Sequence, residues 1–299
     1  MKIVKTILFI FAVMNPTKER VRKPDWLKIK LPSGNNFSEL NKNIQENRLH
    51  TICESGRCPN KEECWGAGTA TIMILGNVCT RSCQFCNVET GKPEDVDIFE
   101  PARVAQSVKK MGAKHIVITS VDRDDLIDGG VGIWAATVRA IRKQAPGVTM
   151  ETLIPDFKGD TAILDKIAEV APEVVSHNLE TVERLSRKVR IQAQFDRSLF
   201  VLKYLKEKGI RRTKSGIMLG LGETDEELYE AMDKLRNADV DIITLGQYLQ
   251  PTRKHLEVQR YVTPEEFEKY RLVALEKGFM FVESGPMVRS SYHAEKHIL

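Results

Sequence analysis

The six cysteines are the residues of this chain best suited to metal or redox chemistry, and they are confined to one short segment. No other cysteine occurs in the 299 residues, and the six form two triplets of different spacing: Cys53, Cys58 and Cys64, then Cys79, Cys83 and Cys86. Three closely spaced thiolates suit an iron–sulfur cluster, because its irons bind cysteine sulfur. A triplet leaves one iron of a four-iron cluster without a cysteine, so that iron is available to another ligand.

Two other uses of the cysteines are compatible with the sequence. Two structural zinc sites would each need four ligands. No histidine lies between Cys53 and Cys86, so zinc would have to recruit His50 or a distant residue. Three disulfides are allowed by the even number of cysteines. However, the chain lacks a convincing export signal, and its 42% hydrophobic content supplies a core without them.

Charge and the N-terminal residues limit the classes of partner. The net charge is +4, and the segment Lys18–Lys30 alone carries six basic residues against two acidic ones. Such an arm can attract an acidic protein, but no aromatic residues alternate with basic ones downstream, so we expect no nucleic-acid partner. The apolar run Ile7–Val13 is shorter than the roughly 20 residues that span a bilayer, and no cleavage site follows it. We therefore expect a cytoplasmic protein without membrane contact, in which the residues before Met14 are a non-structural extension.

Beyond the cysteines, short apolar strands alternate with amphipathic helices, which is the pattern of parallel βα units. The predicted strands are Thr69–Leu75, His115–Ser120, Thr149–Leu153, Val174–Asn178, Arg212–Met218 and Ile242–Gly246. The predicted helices are Glu100–Met111, Val131–Gln144, Asp160–Val170, Ser198–Lys208, Thr224–Ala238 and Pro264–Lys277. Thr224 stands three residues before Glu227, the pattern that caps a helix N-terminus, and Thr263 is followed by Pro264 at the first helical position.

The spacing of these units matches the repeat of a βα barrel, although an open doubly wound sheet has the same pattern. We predict an α/β fold, a partial (β/α)6 barrel of the TIM type with an N-terminal cysteine-bearing extension and a C-terminal tail. The predicted segments are 1–37 for the N-terminal extension, 38–68 for the first triplet, 69–281 for the barrel and 282–299 for the tail.

Polar residues collect where the predicted strands end, which is where both architectures place their active sites. They are Thr119, Ser120, Asp122, Glu151, His177, Asn178 and Gln247. The second cysteine triplet follows the first predicted strand, so it lies at the same edge of the sheet. The sequence therefore predicts one site that combines these groups.

The second triplet resembles the signature of the radical S-adenosylmethionine (SAM) superfamily. It reads CTRSCQFC, with an aromatic residue before the last cysteine. The resemblance implies that Cys79, Cys83 and Cys86 hold a 4Fe-4S cluster whose fourth iron chelates the amino and carboxylate groups of SAM. It also implies that an electron from the cluster cleaves the sulfonium to give a 5′-deoxyadenosyl radical.

The segment GIMLGLGE is similar to a glycine pattern of the same superfamily, with Met218 in place of its isoleucine. The resemblance implies that Gly216, Gly220 and Glu223 lie against the adenine of SAM. The Gly-Gly-Glu stretch that usually follows the second strand is absent, and TSVDRDD stands there. We therefore expect contacts to the SAM amino group from three residues in that stretch, and further cofactor contacts from two on later strands. These five residues are Thr119, Ser120, Asp122, Asn178 and Glu151.

The first triplet, in ESGRCPNKEECWGAG, resembles the lipoyl synthase family, and the similarity continues through TSVDRDDLIDGG, HNLETV, GQYLQPT and GPMVRSSYHA. It covers the chain from about Pro24 to Ala294. The resemblance implies a sulfurtransferase that inserts two sulfur atoms, at C6 and C8 of a protein-bound octanoyl group. It implies an auxiliary 4Fe-4S cluster on the first triplet that supplies sulfide. Its fourth ligand would be Ser290 of the RSSY motif, with Ser291 as the second choice.

The same resemblance implies the partners: an octanoylated lipoyl domain or glycine-cleavage H protein, and an electron donor such as flavodoxin or ferredoxin. We expect the chain to be a monomer. Two alternatives remain at this point. One is another radical sulfur-inserting enzyme, similar to biotin synthase. The other is a non-catalytic electron carrier or zinc-stabilised adaptor that binds an acidic partner through the basic arm.

Overall fold

The computed structural model describes residues 22–27, 36–66, 68–170 and 172–298. The apolar run Ile7–Val13 and most of the basic segment Lys18–Lys30 lie outside these ranges. Within them, no helix is both long enough and apolar enough to cross a membrane.

Ten strands and ten α-helices alternate along the described chain. The strands are β1 His50–Thr51, β2 Thr71–Ile74, β3 Val78–Cys79, β4 Glu89–Thr90, β5 His115–Ser120, β6 Thr149–Leu153, β7 Val174–Ser176, β8 Arg212–Leu219, β9 Ile242–Gln247 and β10 Phe281–Gly285. The helices are α1 Asn36–Glu46, α2 Ile52–Ser55, α3 Lys61–Gly66, α4 Glu100–Met111, α5 Val131–Gln144, α6 Thr161–Val170, α7 Glu183–Val189, α8 Phe195–Glu207, α9 Asp225–Asn237 and α10 Pro264–Glu276. Short 3-10 helices lie at Asp25–Leu27, Phe157–Gly159 and Ala294–Ile298.

Eight strands form one sheet in the order β1-β2-β5-β6-β7-β8-β9-β10. β1 runs antiparallel to β2, and the remaining neighbours are parallel. Parallel strands linked through helices bury both faces, so β2 and β9 are buried at every position. The predicted α/β fold with a partial parallel barrel is confirmed. The sheet stays open. Its two edge strands are β1 and β10, and within the described residues no strand pairing joins these two edges.

The helix starts follow the capping signals in the sequence. Thr224 accepts from the backbone N–H of Glu227, so the predicted capping box is present. Thr263 accepts from the backbone N–H of Glu266 in a second capping box, with Pro264 at the predicted first helical position. At the other end of a helix, Gly112 ends α4 in the left-handed conformation, with a φ of 62° that glycine adopts without strain.

The sequence analysis did not predict eight of the strands and helices: β1, β3, β4, β10, α1, α2, α3 and α7. Two of these, β10 and α7, belong to the series of parallel strands and connecting helices. The strand β10 adds a seventh parallel strand to the six predicted, and each of its residues is only partly buried. It lies at the sheet edge, where burial imposes no strong apolar pattern. The helix α7 begins after Val182, which provides no side-chain cap, so its sequence lacks a start signal.

Candidate active site

A cavity of about 1070 Å³ lies at the carboxyl ends of the parallel strands, where the sequence predicted a site. Its walls come from both cysteine segments, from the loops that follow β5 to β9, and from the chain after β10. The predicted residues that it brings together are Cys53, Cys58, Cys79, Cys83, Cys86, Thr119, Ser120, Asp122, Asn178, Gly216, Ser290 and Ser291. Cys64, Glu151, Gly220 and Glu223 do not line it.

The second triplet sits on a loop that leaves the sheet after β2. The backbone N–H groups of Arg81 and Asp122 donate to Cys79 Sγ at 3.4 and 3.3 Å. The backbone N–H of Cys86 donates to the Cys83 carbonyl, and His255 Nε2 lies 2.9 Å from the Cys86 carbonyl oxygen. Burial raises the pKa of Cys79 to about 11 and that of Cys83 to about 12. These thiols therefore ionise readily only beside a positive partner such as iron.

Arg81, inside the same motif, fixes this loop to the barrel. Its guanidinium donates to Asp124 at 2.6 and 2.9 Å and to Asp156 at 2.8 Å, and it lies 3.3 Å from Asp122. Burial acts to raise the pKa of Asp156, but the hydrogen bond and charge of Arg81 outweigh burial and lower it to about 2. The sequence analysis did not select Arg81. A sequence signal was available, because Arg81 is a basic residue between two motif cysteines and the loop after β5 is rich in aspartate. Together these features indicate an ion pair between the two loops.

The first triplet is presented by two short helices that precede β2. Cys53 lies in α2, Cys64 lies in α3, and the backbone N–H of Cys58 between them donates to the Cys53 carbonyl at 3.0 Å. Burial, together with the charges of Cys58 and Cys53, raises the pKa of Cys64 to about 12. The three thiols thus interact with one another, although Cys64 lies behind the two that reach the cavity.

The C-terminal tail crosses the barrel mouth and reaches this first triplet. Asn60 donates to the Met287 carbonyl at 2.6 Å, and Thr71 donates to Ser291 Oγ at 2.9 Å. A Cβ at Gly246 would lie 2.1 Å from the Val288 carbonyl oxygen, so only glycine permits the crossing. Ser290 is thereby placed on the cavity wall beside the first triplet.

The donor set fits iron–sulfur clusters better than the two alternatives. All six cysteines are free, which does not support the disulfide interpretation. Among the described residues, no three histidine, cysteine or acidic side chains converge closely enough for a single metal ion, which does not support zinc. In a four-iron cluster each cysteine binds a different iron, so the thiols stand further apart.

Buried polar atoms on the opposite wall have no partner within the described chain. They are Asn178 Oδ1 and Ser120 Oγ. Asn178 Nδ2 donates to Glu180 at 2.9 Å, and a Cβ on Gly216 would lie 2.9 Å from Asn178 Oδ1. This wall is a polar cradle that a side chain at residue 216 would fill, so it fits a ligand with hydroxyl or amine groups.

A second arginine that the sequence analysis missed lines the cavity near Cys83. Arg190 is 6% exposed, and its Nη1 donates to the Leu179 carbonyl at 3.1 Å and to Ser198 Oγ at 3.0 Å. Its charge acts to lower the pKa of Cys83. No local motif surrounds Arg190, so no sequence signal could have identified it.

Three of the predicted cofactor contacts, Glu151, Gly220 and Glu223, do not line this cavity. Glu151 is fully buried inside the barrel, where it accepts from Lys214 Nζ at 2.9 Å. Glu223 accepts from the backbone N–H of Gly220 at 2.6 Å, so these two residues shape the turn after β8. Of the residues that do line the cavity, Thr119 donates its hydroxyl proton to the Leu153 carbonyl.

Comparison with known proteins agrees with this geometry. The description "Radical SAM superfamily" matches residues 73–235, and "N-terminal domain of lipoyl synthase of Radical_SAM family" matches residues 11–58. Among solved structures, SuiB of Streptococcus suis bound to S-adenosylmethionine aligns with a TM-score of 0.57 at 12% identity, over 83% of this chain and 62% of that one. The FeFe-hydrogenase maturase HydG of Carboxydothermus hydrogenoformans aligns at 0.53 and 14% identity, over 88% and 77%. These two establish the fold.

Closer relatives carry one name. The lipoyl synthase of Flavobacterium johnsoniae is 65% identical over 277 residues, which cover 93% of this chain and 96% of that protein. The mitochondrial lipoyl synthase of Nematostella vectensis is 63% identical over 279 residues, with the same coverage. With its barrel, its two cysteine triplets and these relatives, the chain belongs to the lipoyl synthase family of the radical SAM superfamily.

Proposed function

We propose that this chain inserts two sulfur atoms, at C6 and C8 of an octanoyl group carried on a protein, and so forms the lipoyl cofactor. The observation that carries the proposal is that both cysteine segments and Ser290 border one cavity at the barrel mouth. A methylene hydrogen is neither acidic nor bound to an electrophilic carbon, so no side chain removes it by acid–base chemistry. Bound cofactors supply the radical and the sulfur, and the protein supplies position and exclusion of water.

In this proposal, Cys79, Cys83 and Cys86 hold one 4Fe-4S cluster, and the first triplet with Ser290 holds the other. When bound, the first of these clusters and SAM supply a 5′-deoxyadenosyl radical, and the second supplies sulfide. A serine oxygen is a weaker iron ligand than a thiolate, so Ser290 is suited to a site whose cluster is consumed. Burial raises the pKa of Cys58, and the charge of Arg289 opposes part of that rise.

The polar wall of the cavity holds SAM in this proposal. Asn178 and Glu180 face the ribose, and Gly216 leaves room for the adenine. Ser120 and Asp122, with Thr119 beside them, face the amino group. Burial raises the pKa of Asp122, and the charge of Arg81, which lies 3.3 Å away, opposes that rise.

The SAM carboxylate needs a cation, and Arg190 is best placed to provide it. Arg81 is already matched by Asp122, Asp124 and Asp156, so its charge is fully compensated. Arg190 lies beside Cys83, and the two oxygens to which it donates are neutral. Its charge also acts on the buried carboxyls of Glu180 and Asp122. A buried arginine binds a carboxylate strongly.

The proposed partners follow from this chemistry. The substrate is an octanoylated lipoyl domain or glycine-cleavage H protein, whose acyl-lysine enters the cavity from the barrel mouth. Electrons come from a low-potential donor such as flavodoxin or ferredoxin. Phe85, Val88 and Leu249 are among the residues that line the cavity, and their apolar side chains suit an alkyl chain.

Metal analysis after anaerobic reconstitution tests the cofactor part. We expect about eight irons and eight sulfides per chain, as two four-iron clusters require. Stoichiometric zinc without iron would refute the enzymatic interpretation and favour the adaptor.

The activity assay combines reconstituted protein, reductant, SAM and an octanoylated carrier peptide. We expect 5′-deoxyadenosine and a peptide heavier by two sulfur atoms as the dithiol, which loses two hydrogens when it is later oxidised to the disulfide. Formation of 5′-deoxyadenosine from SAM while the peptide never gains sulfur would contradict the assignment.

A further inference from the structure

A buried charged cluster lies inside the barrel, away from the cavity. Lys214 Nζ is 2.9 Å from Glu151 Oε2, and both side chains are 0% exposed. Lys214 is the third residue of β8, near its amino end, whereas the cavity lies at the carboxyl ends of the strands. The proposed chemistry therefore uses neither group.

The C-terminal tail reaches this cluster. After passing the barrel mouth at Ser290, the chain ends its described part in the 3-10 helix Ala294–Ile298. His297 is 0% exposed, and its Nδ1 lies 3.3 Å from Lys214 Nζ. The guanidinium of Arg212 donates to the His297 carbonyl, and the Phe281 ring lies 5.8 Å from the imidazole between centroids. The tail thus runs along the open side of the barrel from its mouth to its opposite end.

The energetics of the cluster indicate a positioning role. Burying two charges costs desolvation that their attraction scarcely recovers, so a buried ion pair contributes little net stability. Removing one partner of such a group is costly, however, because a buried charge then lacks a hydrogen-bond partner. Lys214 takes one of its partners from the tail, so undocking of His297 is penalised. None of these contacts involves a cysteine or Ser290.

We propose that Glu151, Lys214 and His297 form a tail anchor, which holds residues 286–298 along the barrel and keeps Ser290 beside the first triplet whether or not iron is bound there. Lys214 and His297 are positioning residues in this scheme. The benefit of the anchor for catalysis rests on the proposed role of Ser290. The docking of the tail on the barrel does not depend on that role.

Amide hydrogen exchange on the full chain, with iron removed by a chelator, tests the anchor. The variant His297→Leu leaves the Glu151–Lys214 pair intact, so the barrel itself keeps its core. We expect exchange in peptides covering residues 286–298 to accelerate at least about tenfold, while peptides from β5 and β6 stay unchanged. His297→Asn, which keeps a hydrogen-bond acceptor, should restore most of the protection. Lys234→Met, at a partly exposed ion pair, is the matched control and should change nothing.

A second variant distinguishes loss of the Lys214 contact from a change in the packing of the His297 ring. The double change Glu151→Gln with Lys214→Met removes both charges together, and we expect the same faster exchange of the tail. Unchanged tail exchange in both variants would overturn the proposal, as would a wild-type tail that exchanges freely once iron is removed.

The reconstituted variants separate anchoring from the proposed function. His297→Leu should lower the iron content of the first site and lipoyl formation, with 5′-deoxyadenosine formation little changed. Ser290→Ala should lose iron at that site but keep tail protection in the chelated protein. Retained iron in Ser290→Ala, together with faster exchange in His297→Leu, would refute the ligand role of Ser290 and support the anchor.

Discussion

The two cysteine triplets use the same side chain in contrasting surroundings. The second triplet is fixed by its own neighbourhood, since Arg81 joins its loop to three carboxylates and His255 contacts the Cys86 carbonyl oxygen. The first triplet lies on two short helices and is joined to the tail through Asn60 and Met287, 227 residues apart. Both triplets offer the same ligand, so the cysteines themselves do not distinguish the two sites. The sites differ in which part of the chain supports them.

This difference suits two kinds of cofactor use. A cluster that transfers electrons repeatedly needs an unchanging site, and the ion pairs around Arg81 supply one. A cluster that gives up sulfur needs a site that can lose and regain a ligand. In our proposal that ligand is Ser290. It lies on the C-terminal tail, which is held near the first triplet by contacts of its own. The following changes test this contrast.

Removing one cysteine from each triplet should have the largest and most unequal effects. In Cys83→Ala we expect 5′-deoxyadenosine formation to fall to background, at least about a thousandfold, because the radical-forming cofactor is lost. In Cys58→Ala we expect 5′-deoxyadenosine formation within about threefold of wild type, with no lipoyl product. Chromatographic quantification of both products measures this. If Cys83→Ala and Cys58→Ala lost 5′-deoxyadenosine formation and lipoyl formation to the same extent, the two triplets would not have separate roles.

The ligand on the tail should show a partial form of the same effect. In Ser290→Ala we expect lipoyl formation to fall about 10- to 100-fold, as for altered metal-site partners, and SAM cleavage to fall much less. Ser291→Ala is the control, because it removes only the hydroxyl that accepts from Thr71. Equal retention of both activities in Ser290→Ala would refute its ligand role, and a larger effect at Ser291 would exchange the two assignments.

The crossing of the tail over the barrel can be disturbed without touching any ligand. Gly246→Ala would place a Cβ 2.1 Å from the Val288 carbonyl oxygen, so the tail must move. We expect lipoyl formation to fall about tenfold, since small displacements near reacting groups are costly. The control is Gly285→Ala on the neighbouring strand, where the new Cβ would meet Val288 Cγ2 at an ordinary 3.5 Å. Similar activities in both variants would show that the crossing does not position the site.

The smallest predicted effect concerns stability around Arg81, in protein freed of iron. The pKa of Asp156 is lowered to about 2 in the folded state, against about 3.9 when unfolded. Its stabilisation, about 2 to 3 kcal/mol, is therefore complete above pH 4 and is lost as pH falls towards 2. Urea unfolding of wild type and Asp156→Asn should show a difference in unfolding free energy that shrinks over that interval. The surface variant Asp233→Asn should differ from wild type by under about 1 kcal/mol throughout, and a pH-independent difference for Asp156→Asn would contradict the prediction.

Much of the fold follows from local sequence signals. The bounds of α4, α5, β5 and β6 match the predictions, because periodic apolar residues and helix-end signals coincide there. The strand β10 escaped prediction because an edge strand with half-buried residues carries little pattern. The helix α7 escaped it because its first residue follows an uncapped valine.

Site residues that belong to a local motif could be predicted from the sequence. Residues whose partners are distant in the sequence could not. Five of the six cysteines, Asn178 and Gly216 stand in recognisable patterns and line the cavity, whereas Cys64 does not. Glu151 also stands near a strand end, but its partner Lys214 is on β8, two strands across the sheet, and no pattern in either segment announces the pair. Arg190 illustrates the same limit, because a lone arginine acquires its role from the surfaces around it.

The bond between Asn60 and Met287 has a consequence for how the protein is made. At about 5–20 residues per second, a ribosome adds the 227 residues that separate them in roughly 10–45 s. During that interval the segment with Cys53, Cys58 and Cys64 has left the ribosome, but its companion tail has not been synthesised. Delivery of iron and sulfide to that segment is therefore best timed after translation, whereas the loop of Cys79, Cys83 and Cys86 depends mainly on neighbours made before the tail.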